Sequence, residues 1–153
     1  QASHSEDPAM DDLFTTLARA GLFLQALQRD LLGQHDLTFT EYSVLRLLSR
    51  APEQQLSPSV LAHKIVCTTG AMTKLVDRLG RNKLVTRSPD PADRRGIQVE
   101  ITRAGEDLAS RAAKSYQTGR RRVLSRLEPH ETDPIHTHLS RLLGALEADN
   151  DSN

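Results

Sequence analysis

Six stretches of this chain repeat apolar residues at the three- and four-residue spacing of a helix, and one later stretch alternates them at the two-residue spacing of a strand. Leu13, Leu17, Leu24, Leu27 and Leu31 trace one stripe along a long first helix, from Asp11 to about Gly33. Tyr42, Leu45 and Leu48 mark a second helix ending near Arg50, and Val60, Leu61 and Ile65 mark a short third one that carries them inward. In the fourth, Met72, Leu75, Val76 and Leu79 fall at i, i+3, i+4 and i+7, so Thr69, Thr73, Lys74, Asp77 and Arg81 share the opposite, polar face. Past Asn82 the period changes: Val85 and Arg87, then Ile97, Val99 and Ile101 interleaved with Gln98 and Glu100, read as two strands of a hairpin. Helical spacing returns with Leu108, Ala112, Tyr116, Val123 and Leu127, and again with Ile135, Leu139, Leu142, Leu143 and Leu146.

The ends of these elements carry their own chemistry. Thr38-Phe39-Thr40-Glu41 is a capping box, in which the Thr38 hydroxyl accepts from the Glu41 amide and the Glu41 carboxylate reaches back to Thr38. Ala51-Pro52 stops the second helix, because proline disfavours helical geometry in the residue before it. The polar stretch Glu53 to Gln55 reads as a loop, and Ser57-Pro58 opens the third helix with an N-cap and a proline whose missing N–H is no loss. The segment Ser88 to Gly96 holds two prolines and is too long for a tight turn, so it should project as a wing. Thr102 caps the next helix, Pro129 breaks it, and a last helix is expected from Asp133-Pro134. The result is a mainly α chain of about six helices plus a β-hairpin wing: a winged helix-turn-helix over residues 36–103, flanked by dimerisation helices in 10–35 and 104–148. The broad apolar faces of the first and last helices would be buried by joining two copies. Residues 1–9 are polar and aperiodic, a flexible lead-in to a single domain over 10–153.

Composition agrees with this picture. A chain of 153 residues is the size of one domain with a real core; aromatic residues are scarce, and a lone cysteine, Cys67, excludes an internal disulfide and a cysteine-rich zinc module. No signal peptide or membrane-spanning run is evident, which points to the cytoplasm and to no membrane partner. The net charge of zero argues superficially against nucleic acid, but the charges are segregated. Residues 56–103 hold nine Lys and Arg against four Asp and Glu, whereas the first 35 residues hold five acids and two bases. The basic share lies where a groove-reading element would sit.

A reading helix meets base edges with its N-terminal residues. Thr68, Thr69, Gly70 and Ala71 suit that task, since small side chains let backbone amides approach phosphates, hydroxyls bond phosphate or base, and a methyl can touch thymine. Thr73 and Lys74 lie one turn further on. At the wing tip Arg94 and Arg95 can reach an adjacent minor groove, and Asp93 beside them makes sense as the partner of an arginine that braces the tip. The plainer alternatives are a capped surface helix and solvated loop charges.

The run Thr68-Thr69-Gly70-Ala71-Met72-Thr73-Lys74-Leu75-Val76-Asp77-Arg78-Leu79, with Leu84 through Gly96 and Val99-Glu100-Ile101-Thr102-Arg103-Ala104-Gly105, resembles the multiple-antibiotic-resistance regulator (MarR) family. The resemblance implies a homodimer whose winged units each read half of a pseudo-palindromic operator in double-stranded DNA, and a transcriptional regulator, more often a repressor, released by a small effector. It further implies that Arg95 is the minor-groove residue and Arg94 a phosphate contact, with Arg78 bracing Asp93. Many members answer to a phenolic or otherwise anionic molecule, for which Arg19, Tyr42 and Tyr116 are the polar-tipped candidates here; satisfied interface residues are the plainer reading of the three.

Cys67 lies just before the reading helix, where a helix N-terminus favours thiolate and an oxidative switch is conceivable, although a small apolar filler is the commoner use of such a cysteine. His136 and His138, two apart on a helix, point to different faces and leave no metal site in view. No cofactor is implied, and nucleophile elbow, phosphate loop, zinc-protease helix and paired carboxylates are all missing, so the chain does not read as an enzyme. The competing class is a helical interaction module whose winged unit grips another protein.

Overall fold

The computed structural model describes the backbone of residues 8–152, with side chains from residue 12 onward. Most of the expected polar lead-in, residues 1–7, lies outside the described residues, and the first helix already runs from Pro8. Helices α1 (Pro8–Gly33), α2 (Phe39–Arg50), α3 (Pro58–Ile65), α4 (Thr69–Arg81), α5 (Arg103–Leu124) and α6 (Pro129–Asp151) are joined by strands β1 (Gln55–Leu56), β2 (Val85–Pro89) and β3 (Ile97–Ile101). This is the mainly α winged helix anticipated above. The chain divides into two compact units at Tyr116/Gln117, inside α5.

The first unit holds the core. Leu45 and Leu48 of α2, Leu61 of α3, Met72 and Leu79 of α4 and Val99 of β3 are all fully buried in one cluster. Short, well-capped helices make this packing possible. Thr38 and Glu41 exchange the two bonds of the capping box, Glu41 N–H donating to Thr38 Oγ1 at 3.1 Å and Thr38 N–H to Glu41 Oε2 at 2.9 Å. Ser57 caps α3 and Thr68 caps α4. Between α3 and α4 the backbone reverses through Val66 in the left-handed region, φ 59° and ψ 58°, and the following Cys67 amide closes the turn on Ala62 O at 3.1 Å. Val60, expected inward, is instead 39% exposed and leaves Leu61 and Ala62 as the buried residues of α3.

The sheet has three strands in the order β1-β3-β2. The wing hairpin pairs Val85 with Ile101 and Pro89 with Ile97. On the other side of β3, Gln55 and Leu56 pair with Glu100 and Val99, so part of the stretch read as a loop is an edge strand. Two residues are too few to show alternation, and only pairing reveals them.

The start of α5 is docked onto the turn that follows α4. Thr102 Oγ1 donates to Lys83 O at 2.7 Å and accepts from Gly105 N–H at 3.1 Å, while Thr102 N–H donates to Leu84 O at 3.0 Å. Gly105 is required there: a Cβ would lie 2.2 Å from Leu84 O and 2.9 Å from Ile101 Cγ1. This ties α5 to the base of the wing.

The apolar stripe of α1 is only partly used within this unit. Leu32 is fully buried and Gln28 nearly so, whereas Leu13 and Leu24 of the anticipated stripe are about half exposed, and Phe14, Leu22 and Phe23 are exposed as well. The last turns of α1 reach the core and the earlier ones extend past it. In the second unit α6 begins at Pro129, earlier than Asp133. Glu128 and Glu131 form a capping box, with Glu128 N–H donating to Glu131 Oε2 at 2.7 Å and Pro129 at the first helical position. Pro134 is accommodated inside the helix, which removes one backbone donor without stopping it. Ile135, Leu139, Leu143 and Leu146 stay exposed. Val123 and Leu127, expected inward, are exposed too, and α5 ends at Leu124. Among the described residues no helix is long and apolar enough to cross a membrane.

Candidate nucleic-acid interface

Helix α4 buries Met72, Val76 and Leu79 and turns its first two turns outward, with Thr68, Thr69, Gly70, Ala71, Thr73 and Lys74 all exposed. The hydroxyls there have defined roles. Thr68 Oγ1 accepts from Ala71 N–H at 3.1 Å, which leaves its own proton to donate outward. Thr73 Oγ1 donates to Thr69 O at 3.0 Å, which leaves its oxygen to accept and its methyl to make apolar contact. A Cβ built on Gly70 meets nothing within 4 Å. The surface is therefore open enough for a groove wall or phosphate to come up against the backbone.

Two ion pairs at successive positions hold the later part of the helix. Asp77 Oδ1 receives Arg87 Nη2 of β2 at 2.6 Å, both side chains partly exposed. Arg78 Nε donates to Glu41 Oε1 at 3.0 Å, where the Glu41 side chain is only 4% exposed. This corrects the expectation that Arg78 braces Asp93: Arg78 turns toward α2, and the wing is tied to α4 by Arg87 instead. The pairing with Asp77 is exposed, and its direct worth is about 0–1 kcal/mol.

Within the wing both aspartates hold the loop itself. Asp90 Oδ1 accepts from Ala92 N–H at 2.8 Å, and its Oδ2 accepts from Gln98 Nε2 at 2.9 Å. Asp90 N–H donates to Gly96 O at 3.0 Å. Asp93 Oδ1 accepts from the Arg95 backbone N–H at 3.0 Å, and Asp93 O accepts from Gly96 N–H at 2.9 Å. Gly96 fits closely, since a Cβ there would sit 3.0 Å from Asp90 Cβ. Asp93 is thus a brace, as anticipated, but through the backbone. Arg94 and Arg95 remain exposed at the tip.

Of the three effector candidates, the structure brings together two. Tyr42 and Tyr116 have ring centroids 5.6 Å apart, and Phe39 joins them at 6.4 and 6.0 Å. Gln28 Nε2 donates to Tyr116 Oη at 3.2 Å. Arg19 is exposed on α1, nine residues before Gln28, which is about 13 Å of helix rise away. Cys67 is half-buried and packs on the core. Among the described residues no group of three or more His, Cys, Asp and Glu side chains is placed to hold a metal ion.

Sequence reasoning missed Glu41, Asp77, Arg87, Asp90 and Gln98 as parts of the site. Asp90 had a local signal, because aspartate before proline commonly closes on an amide two residues on. The Glu41–Arg78 pair had none, its partners lying on different helices.

Residues 37–97 match the family model described as MarR family. The HTH-type transcriptional regulator PecS of Dickeya dadantii (strain 3937) is 28% identical over 134 residues, covering 86% of this chain and 78% of that protein. A MarR family regulator from Streptomyces coelicolor, solved at near atomic resolution, superposes with a TM-score of 0.80 at 26% identity, covering 92% of this chain and 96% of that one. A second from the same organism, solved in complex with DNA, superposes with a TM-score of 0.86 at 22% identity, covering 92% and 89%.

Proposed function

We propose that this chain, whose residues 37–97 match the MarR family model, is a dimeric, sequence-specific regulator of transcription that represses by occupying double-stranded DNA and is released by a small phenolic or anionic effector. The observation that carries this reading is the open first turn of α4, with Thr68, Thr69 and Gly70 turned outward, beside a basic wing tip whose acidic residues are already engaged within the loop. Lys74 and Arg94 supply phosphate contacts, and Arg95 enters the minor groove. Two observations support the dimer: α1 leaves Phe14, Leu22 and Phe23 exposed, and α6, taken by itself, buries none of its residues. Apolar faces of this extent mark an interface. The Phe39, Tyr42 and Tyr116 rings with the Gln28 amide offer the stacking and hydrogen bonding that a phenol would use.

The test is equilibrium binding of the full chain to duplex fragments selected from genomic DNA, followed across salt concentration. Two or three cations on each of two copies predict a log-log slope of roughly −3.6 to −5.4. Arg95→Ala should weaken binding without altering the thermal melt. No measurable binding to any duplex would exclude duplex DNA as the partner and favour a protein partner, and binding that ignores salt would refute the phosphate contacts assigned to Lys74 and Arg94.

A further inference from the structure

Helix α4 is gripped at consecutive residues by two elements, and the grip on the α2 side is the unusual one. Glu41 is 3% exposed and uses both carboxylate oxygens: Oε2 accepts from Thr38 N–H at 2.9 Å, closing the α2 capping box, and Oε1 accepts from Arg78 Nε at 3.0 Å. Asp77, one residue earlier and 100° around the helix, is held by Arg87 of β2. Adjacent residues of opposite charge, pulled toward different neighbours, resist rotation of α4 about its own axis. We infer that Glu41 is a positioning residue for DNA reading: by holding Arg78 it sets the rotation of α4, and with it the direction in which Thr69, Thr73 and Lys74 face the groove. This inference rests on the DNA-binding function proposed above.

Geometry gives the sensitivity. A side-chain tip about 5–6 Å from the helix axis moves by about 1 Å when the helix turns by roughly 10°, and a hydrogen bond tolerates only about half an ångström around its usual length. A helix free to rotate by that amount loses base contacts and keeps most phosphate contacts, because flexible lysine and arginine side chains follow the backbone. Loss of sequence preference, with non-specific affinity retained, is therefore the signature of this role.

The experiment compares wild type, Glu41→Gln, Arg78→Gln and the double variant on a selected duplex and on a random-sequence duplex of equal length, each across salt concentration. Glutamine at 41 keeps a carbonyl oxygen for Thr38 N–H, preserving the cap, and offers no charge to Arg78. Each single variant should lose about tenfold on the selected duplex, the worth of one good base contact, with little change on the random one. The double variant should lose no more than either single one, and the salt slope should be unchanged. Active-site titration at stoichiometric DNA and thermal melts normalise for folded protein, and Glu41→Asp, whose shorter carboxylate keeps the charge, should recover part of the preference. Full preference in Glu41→Gln would overturn the inference. So would a salt slope reduced by about two, one per copy, in Arg78→Gln alone, since that marks Arg78 as a direct phosphate contact. Wild type that binds neither duplex would overturn the DNA-binding reading instead, so the two failures are distinguishable.

Discussion

Replacing Gly105 by alanine tests how α5 is seated on the winged unit. The added Cβ would lie 2.2 Å from Leu84 O, 2.9 Å from Ile101 Cγ1 and 3.1 Å from Leu84 C. Relief requires a shift of about 1.2 Å to reach an ordinary contact. The carbonyl in the way is backbone, and it is held in place by the Thr102 amide at 3.0 Å. Overpacking of a well-filled site costs about 1–3 kcal/mol, and a clash with fixed backbone belongs at the upper end. Alanine in a helix regains about 1 kcal/mol over glycine, so the net loss is about 2 kcal/mol. For a chain of this length that lowers the thermal midpoint by about 4–8 °C. The assay is the helical circular dichroism signal on heating, at matched protein concentration because the protein is proposed to be a dimer. Gly80→Ala serves as the control: it lies inside α4 with nothing within 4 Å of its Cβ position, so it should melt at or above wild type. A Gly105→Ala variant that melts no lower than wild type would refute the close seating of α5 on Leu84.

Two further substitutions probe the turn and the wing. Val66→Gly should stabilise, because a left-handed conformation costs an L-residue about 1–2 kcal/mol and glycine's extra freedom when unfolded returns about 0.5–1 kcal/mol of that. The Val66 side chain is 71% exposed, so little packing is lost, and a urea midpoint below wild type would contradict the account. Asp90→Ala removes the acceptors of Ala92 N–H and Gln98 Nε2; amide exchange at residues 92–96 should accelerate while the global melt stays put, and unchanged exchange would show that the tip is braced by something else.

Features whose cause is local were legible in the sequence. The Thr38–Glu41 box, the Ser57-Pro58 start, the Thr68 cap and Thr102 at the head of α5 each involve partners within four residues, and each stands where its residues place it. The amphipathic period of α4 likewise predicts its buried Met72, Val76 and Leu79, while Leu75 of the same stripe is only partly covered. What escaped depends on partners distant along the chain. Strand β1 exists because β3 offers it a ladder. Arg78 turns to Glu41, 37 residues earlier. Leu13 and Leu24 have the right period but extend past the core, so periodicity identified a face without saying what covers it. The start of α6 is hidden for a different reason: Asp133-Pro134 reads as a beginning, while Glu128 and Glu131 cap a helix that starts at Pro129.

On the function proposed above, α4 and the wing tip are the surfaces that meet DNA. Backbone amide exchange of the full chain, measured with and without a selected duplex, tests it most directly. Exchange should slow chiefly at residues 68–74 and 92–96, with the remainder of the winged unit little changed. Protection that bypasses both segments and falls on other surfaces of the chain would contradict it.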